Sequence, residues 1–443
     1  MKVLAMLLVA LLVVTSFAGC RSTEGGSSGV LSDLPSVSTA ATTTPTTAVT
    51  TAPTVAPTTS VTDPAVKAHT LLTDSHLADI YRTSYQSVFD RVQENGFFQE
   101  SVTGRYRGEY VRSIGALACL AAEVNELPAA GRALRFVTNV MKNKNLSYLP
   151  FTISADGQTV RTEDELDGRA HFVLGWALYI LKTGDRPYFE ESYDLMKREA
   201  DAFCSSTYFY EQFGLVRNRR FTHTRMRNSN DYHDVFDLLT NTFTASALER
   251  MIEVATAYGK PEDAVLWQDT LGKIKTGIAK NLTRQVNGKT VYLEQRYYDN
   301  GQGNPENGVS WVCLSPVATG FSGVDPQILQ NTAAYTRSVL WKDASKGGYL
   351  AVESSAGGSI KNWILGKSVG WDLGIAGKAG DWEHICDTLE FLNTYHTQSL
   401  YMERMQPSGN SWKLIDCGNG EQVIWFLWGM ARVRQAAGLS AKP

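Results

Sequence analysis

From about Val66 to Leu439 the apolar residues recur at helical spacing in one segment after another, broken by clusters of Gly, Pro, Asn and Asp. The spacing predicts helices over 74–94, 109–124, 128–143, 169–183, 187–204, 231–258, 262–281, 309–320, 326–341, 368–378, 382–395 and 420–436. Strand-like text is confined to short pieces such as Gly288–Glu294 and Gly347–Leu350. The segment 231–258 has the widest apolar surface: Phe236, Leu239, Phe243, Ala247 and Met251 on one face, Leu238, Ala245, Leu248 and Ile252 beside it. A helix apolar over so much of its circumference is enclosed by other helices. Its narrow polar stripe carries Asp234, Asp237, Asn241 and Thr244.

The links between segments alternate in length. Residues 125–127, 184–186, 259–261, 322–325 and 379–381 are short links, whereas 95–108, 144–168, 205–230, 282–308, 342–367 and 396–419 are long. Short links make antiparallel neighbours. The pattern therefore predicts an all-α fold of six helical hairpins closed into an (α/α)6 toroid, with short strands in the long loops. Each long loop feeds an inner helix, so six inner N-termini open on one mouth. Loops this long in a compact domain are usually functional.

Composition changes the picture at the N-terminus. Met1-Lys2 followed by the apolar run Val3–Phe17 reads as a secretory signal, too short to span a membrane. Phe17-Ala18-Gly19-Cys20 resembles a bacterial lipobox, which implies cleavage after residue 19 and lipid on Cys20; a signal peptide cut near Ala18 is the alternative. Residues 20–65 are dominated by Ser, Thr, Ala, Pro and Val, with no aromatic residue, and read as a disordered tether. As a coil it would reach roughly 35–40 Å. Residues 66–443 form the predicted catalytic domain, held at the outer face of the plasma membrane by acyl chains. The formal net charge of −3 gives no reason to expect nucleic acid as a partner. Cys119, Cys204, Cys313, Cys386 and Cys417 are scattered in apolar text and read as buried thiols with at most one or two bridges; no zinc pattern occurs.

The long loops and helix starts hold Arg105 to Arg112, Glu163 to Arg169, Asp231 to Asp237, Glu306 to Trp311, Trp363, and Glu403 through Trp412 to Gln422. Carboxylates, arginines and tryptophans in one mouth suit a neutral polyhydroxylated ligand, with rings stacking on sugar C–H faces and charged groups bonding hydroxyls. Here the chain resembles the six-hairpin glycosidases, most nearly the glucoamylase-like family, over roughly Phe97 to Leu439. Asp164-Glu-Leu-Asp167-Gly-Arg-Ala-His with Thr183-Gly-Asp185 is similar to the family's Asp-Gly and Thr-Gly-Asp hairpin. Glu109-Tyr-Val-Arg112-Ser113 resembles its Arg-Asp motif, with Ser113 in place of the aspartate. Phe243 to Leu248 resembles the segment after the general acid, and Tyr401 to Gly409 the stretch that holds the general base, which falls on Glu403. The resemblance implies glycosidic-bond hydrolysis, with inversion. Aspartates stand where glucoamylases carry paired glutamates, as in related trehalases, so starch specificity is not implied.

Hydrolysis of a glycosidic bond needs one protonated carboxyl at the leaving oxygen and one carboxylate across the ring. Asp231 reads as an N-cap. The acid is Asp234 or Asp237, the former also placed for a capping box, the latter past the first turn where capping does not explain it. Glu403 is the base and Glu421, which opens the last helix, its reserve. Glu165, Asp167 and Arg169 read as holders of substrate hydroxyls or as cap chemistry. Arg107 and Arg112 read as partners of buried acids facing the substrate. Tyr232 and the tryptophans Trp311, Trp363 and Trp412 are candidate subsite residues, although the apolar text around Trp311 favours core packing. His171 reads as an interior histidine. No metal or cofactor is expected: Asp231, His233 and Asp234 lack a third ligand at recognisable spacing. The expectation is a monomeric, lipid-anchored glycoside hydrolase. The rivals are a polysaccharide lyase using Tyr232-His233 with nearby arginines, and a non-catalytic glycan-binding lipoprotein.

Overall fold

The computed structural model describes residues 63–221, 233–296, 310–342, 349–350 and 363–443. Thirteen α-helices occur among them: α1 Pro64–Thr73, α2 His76–Asp90, α3 Val111–Val124, α4 Leu127–Asn143, α5 Leu166–Thr183, α6 Arg186–Cys204, α7 Leu238–Ala257, α8 Ala264–Asn281, α9 Pro316–Thr319, α10 Pro326–Leu340, α11 Gly366–Ala379, α12 Trp382–Tyr395 and α13 Gly420–Ala436. Helices α3, α5, α7, α9, α11 and α13 touch in that order, and α13 closes on α3. This is the inner wall. Inner helices α3, α5, α7 and α11 each pack on the outer helix that follows, α10 packs on the turn that leads into α9, and α13 is backed by α2. The architecture is the (α/α)6 toroid that the loop alternation predicts.

Burial separates the two walls. In α5 every residue from Leu166 to Ala177 is buried, and in α13 every residue from Gly420 to Ala431. Outer helices such as α6 bury only one stripe. Glycines let the inner helices approach. A Cβ added at Gly115 of α3 would lie 2.2 Å from the His171 carbonyl in α5, and one at Gly370 of α11 would lie 2.1 Å from the Trp425 carbonyl in α13. Asp185, Asp381 and Asn419 cap α6, α12 and α13 with their side chains. Left-handed residues Asn125, Gly184 and Gly380 end α3, α5 and α11 and turn the chain into the short links.

The long connections carry fifteen short strands among the described residues: β1 Glu109–Tyr110, β2 Thr152–Ile153, β3 Val160–Arg161, β4 Phe209–Tyr210, β5 Leu215–Val216, β6 Asn218–Phe221, β7 His233–Asp237, β8 Thr283–Val286, β9 Lys289–Tyr292, β10 Gln295–Arg296, β11 Trp341–Lys342, β12 Tyr349–Leu350, β13 Ile364–Leu365, β14 Arg404–Ser408 and β15 Ser411–Ile415. They form antiparallel sheets in the orders β1-β2-β3, β10-β7-β6 and β13-β14-β15, with the pairs β4-β5, β8-β9 and β11-β12.

Three predicted elements differ. The helix expected over 231–258 begins at Leu238, because His233–Asp237 is a strand paired with β6 and β10. Val235 and Phe236 suit such a strand, and helical periodicity alone does not see the sheet partners. The segment 309–320 is a 3-10 turn, Trp311–Leu314, and one turn of helix, since Pro316 has no N–H to continue the ladder. Helix α1 was not expected: Asp63 caps it and Pro64 starts it, and it packs on α12 outside the two walls. Cys119, Cys204, Cys313, Cys386 and Cys417 are free thiols. Among the described residues no helix is long and apolar enough to cross a membrane.

Close helix approach through glycine gives a direct test. Gly370→Ala forces a methyl into the Trp425 backbone and should cost about 2–3 kcal/mol. Gly272→Ala on α8, where an added Cβ meets nothing within 4 Å, should be neutral or stabilise by up to about 1 kcal/mol. Thermal unfolding of the two variants, side by side, checks this.

Candidate active site

Four inner-helix N-termini are brought together by one buried charge network. Arg112, in the first turn of α3, pairs with Glu165 and, at 3.0 Å, with Asp167, both at the start of α5. Its third partner, at 3.6 Å, is Glu421 in the first turn of α13. Glu421 also receives the amine of Lys367 from α11 at 2.6 Å. Lys367 is only 1% exposed and lies 5.1 Å over the Trp311 ring. The Lys367 backbone N–H donates to Gln422 at 2.8 Å, a second tie between α11 and α13. Burial holds the Lys367 amine below the usual lysine value, while the three carboxylates drive the Arg112 guanidinium the other way. Helix N-termini favour such carboxylates, and the two cations let them be buried.

Helix α7 enters through Asp237. This residue is the N-cap, accepting the Thr240 N–H at 2.6 Å, so the expectation that it lies past the first turn is corrected. It is wholly buried, and its second oxygen, Oδ2, meets no hydrogen-bond partner among the described residues. Burial pushes its pKa well above the ordinary aspartate value, and the charge on Asp167 adds to the rise. Asp237 therefore keeps a proton where an exposed aspartate has lost it.

Glu403 sits one strand away from α11. Its N–H is shared by the carbonyls of Ile415 and Asp416, and its carbonyl accepts the Gly366 N–H at 2.8 Å. The carboxylate accepts from Tyr106 at 3.2 Å and from Arg404 at 3.0 Å, and Arg105 stands 3.4 Å from its other oxygen. Gly366 and Lys367 thus hold Glu403 and Glu421 at the same end of the ring as Asp237. Arg105 and Tyr106 lie in the 105–112 stretch that the sequence places at the mouth, whereas Lys367 and Asn218 were not singled out from sequence; their roles come from partners far away in the chain.

The remaining sequence candidates fall into three groups. Trp363 is half-buried beneath the Arg404 guanidinium, 5.5 Å from its ring centre, and so stands beside Glu403. Trp412 is half-buried on β15 against Phe391, and Arg107 is exposed. Others are occupied in the walls. Arg169 donates to Glu199 at 2.7 Å and to Tyr208 at 2.7 Å and is 3% exposed, which closes it off from a sugar. Trp311 is 1% exposed, in contact with Trp371, as its apolar surroundings predict. Glu165 makes no cap bond and is spent on Arg112. His171 is buried, stacked on Phe243, and its pKa falls to about 3. Tyr232 and the Asp234 side chain lie outside the described residues, as does Cys20. Among the described residues no three His, Cys, Asp or Glu side chains could hold a metal together.

No family model and no curated protein sequence matches this chain. Solved structures do. A glycosidase superposes with a TM-score of 0.58 at 13% identity over 86% of this chain and 98% of its own. A bacterial glucoamylase complexed with acarbose gives 0.60 at 14% identity, over 81% of this chain and 56% of its own. A metal-independent α-mannosidase from Streptococcus pneumoniae gives 0.59 at 12% identity, over 84% and 97%. The fold is shared with these glycosidases. In this six-hairpin toroid the charge network ties the starts of the inner helices together, with Asp237 at the start of α7 and Glu403 just before β14.

A second buried acid gives the site a measurable pH signature. Glu100 accepts the Glu421 N–H at 3.0 Å, and burial pushes its pKa up to about 7. Below the unfolded value both states hold the proton. As pH rises towards 7 the unfolded chain releases it and the native protein keeps it, so stability falls. Glu100→Gln should remove up to about 3 kcal/mol of that fall, read from chemical unfolding at pH 4.5 and 7.

Proposed function

We propose that this chain is a glycoside hydrolase that cleaves an oligosaccharide by inversion, with Asp237 as general acid and Glu403 as general base. The observation that carries the reading is the contrast between two carboxyl groups at one end of the ring. Asp237 is enclosed, protonated by burial, and meets no cation among the described residues. Glu403 is set among Tyr106, Arg404 and Arg105. Such divergent environments are how one site holds an acid and a base. The shared toroid and the tryptophan-lined loops support a sugar substrate.

In the proposed reaction Asp237 gives its proton to the glycosidic oxygen as the bond from that oxygen to the anomeric carbon breaks. Water attacks the anomeric carbon from the opposite face while Glu403 takes its proton. The products are an alcohol and a hemiacetal of inverted configuration. Arg112, Glu421 and Lys367 bind each other too tightly for Glu421 to serve as base; they form the rigid floor against which the ring is placed. Export and a lipid anchor on Cys20 put the enzyme at the outer face of the plasma membrane, where it acts as a monomer.

Glu403→Gln and Asp237→Asn should each lower kcat/KM by about 10²–10⁴-fold on a cleaved oligosaccharide while the melting temperature stays within a few degrees. Asp234→Asn is measured alongside: a loss confined to that variant moves the acid to Asp234. NMR of the first-formed product should show the anomer opposite to the substrate's. Retention there rejects inversion, and sugar binding without turnover in the unmodified protein marks a glycan-binding lipoprotein. Cys20→Ser should move the protein from the membrane fraction to the medium; unchanged fractionation rejects the anchor.

A further inference from the structure

A continuous buried relay joins Arg112 to Asp237. Asn218, the first residue of β6, is wholly buried, as are Asp167, Thr240 and Asp237. Its side-chain amide donates to Asp167 Oδ1 at 2.9 Å and to Thr240 Oγ1 at 3.0 Å. The other Asp167 oxygen faces Arg112 Nε at 3.0 Å. Thr240 gives its N–H to Asp237 Oδ1 at 2.6 Å, and its hydroxyl faces the same carboxyl. An amide nitrogen only donates, so Asn218 gives one proton to Asp167 and the other to the Thr240 hydroxyl, whose own proton is left to turn towards Asp237.

We infer that Asp167 is the positioning residue for the general acid, acting through Asn218 and Thr240 to hold the Asp237 carboxyl still and to keep one fixed negative charge beside it. The inference rests on the assignment of Asp237 as the acid. Asp167 can play this part because Arg112 pins it without reaching Asp237, so the acid meets the like charge and not the cation. Other ionisable groups also pack around this end. His171, bonded through Nδ1 to the Asp167 carbonyl, is neutral. On the opposite side Glu294 offers its carbonyl to the Leu238 N–H at 2.9 Å, and Arg296 is paired across β10 with Phe236. The polar links make the arrangement a spring of opposing effects: Asp167 favours the protonated acid, and the Thr240 hydroxyl favours the ionised one.

Two variants should therefore shift the acid in opposite directions. Asp167→Asn removes the like charge and should move the alkaline limb of the kcat/KM profile to lower pH by about one unit or more. Thr240→Val keeps the N–H bond, removes the hydroxyl, and should move that limb to higher pH. The same coupling is read without substrate. Relative to Asp237→Asn, the full-length protein loses stability as pH rises from the ordinary aspartate value to that of buried Asp237, because only the native state retains the proton. With each variant matched to its own Asp237→Asn partner, this fall should end at lower pH in Asp167→Asn and at higher pH in Thr240→Val. If neither observable moves in Thr240→Val, which keeps the helix cap, or both variants move it the same way, the inference is overturned. Full activity in Asp237→Asn would instead reject the acid assignment, while the stability titration still decides whether Asp167 and Asp237 are coupled.

Discussion

The guanidinium of Arg112 is the constraint on which the mouth of this toroid depends. One cation on α3 faces carboxylates from α5 and α13, and Lys367 extends the contact to α11. Every inner helix brings the positive end of its dipole to this end of the ring, which invites carboxylates but does not stop them repelling one another. A planar group with five donors in a rigid fork serves several acids in one fixed geometry. The network is a poor source of net stability, since burying ions costs much of what their attraction returns. Its value is geometric: it fixes the order and height of helices that otherwise meet mainly through apolar faces and glycine contacts.

That geometry separates the two acids by environment. Asp237 is a helix cap whose second oxygen is buried with no hydrogen-bond partner among the described residues, so the ordinary stabilisation of a carboxylate at a helix start is outweighed by desolvation. Glu403 stands in the β13–β14–β15 loop region, where its backbone is held on both sides and its carboxylate meets arginine and tyrosine. Placing the one on a helix and the other on a strand hairpin lets each be tuned without disturbing the other.

Much of the wall was legible in the chain because hydrophobic period and link length are local properties. Asn125, Gly184-Asp185 and Gly380-Asp381 mark real turns, and the uninterrupted apolar text of α5 and α13 marks an inner wall. The start of α7 was misplaced because His233–Asp237 is a strand only by virtue of β6 and β10, the latter some sixty residues on. Glu403 and Asp237 were both visible as acids in loop or helix-start text. Lys367 and Asn218 were not. A lysine after glycine and an asparagine among arginines carry no local signal; what distinguishes them is complete burial against partners from other hairpins. Arg169 looked like its neighbours Glu165 and Asp167, and only Glu199 and Tyr208 on the outer side claim it for the wall.

Helix α13 closes the inner ring against α3, while α2 and α1 from the opposite end of the folded sequence cover it from outside. Arg434 reaches the Leu72 carbonyl at 2.7 Å and Tyr81 the Ala441 carbonyl at 2.5 Å. The seam is therefore stitched by the first and last of the described helices. No arc of five hairpins is a smaller version of the whole, because its two end helices would face water with apolar flanks. Such a protein gains little from folding piecemeal, because the ring closes only when α13 meets α3.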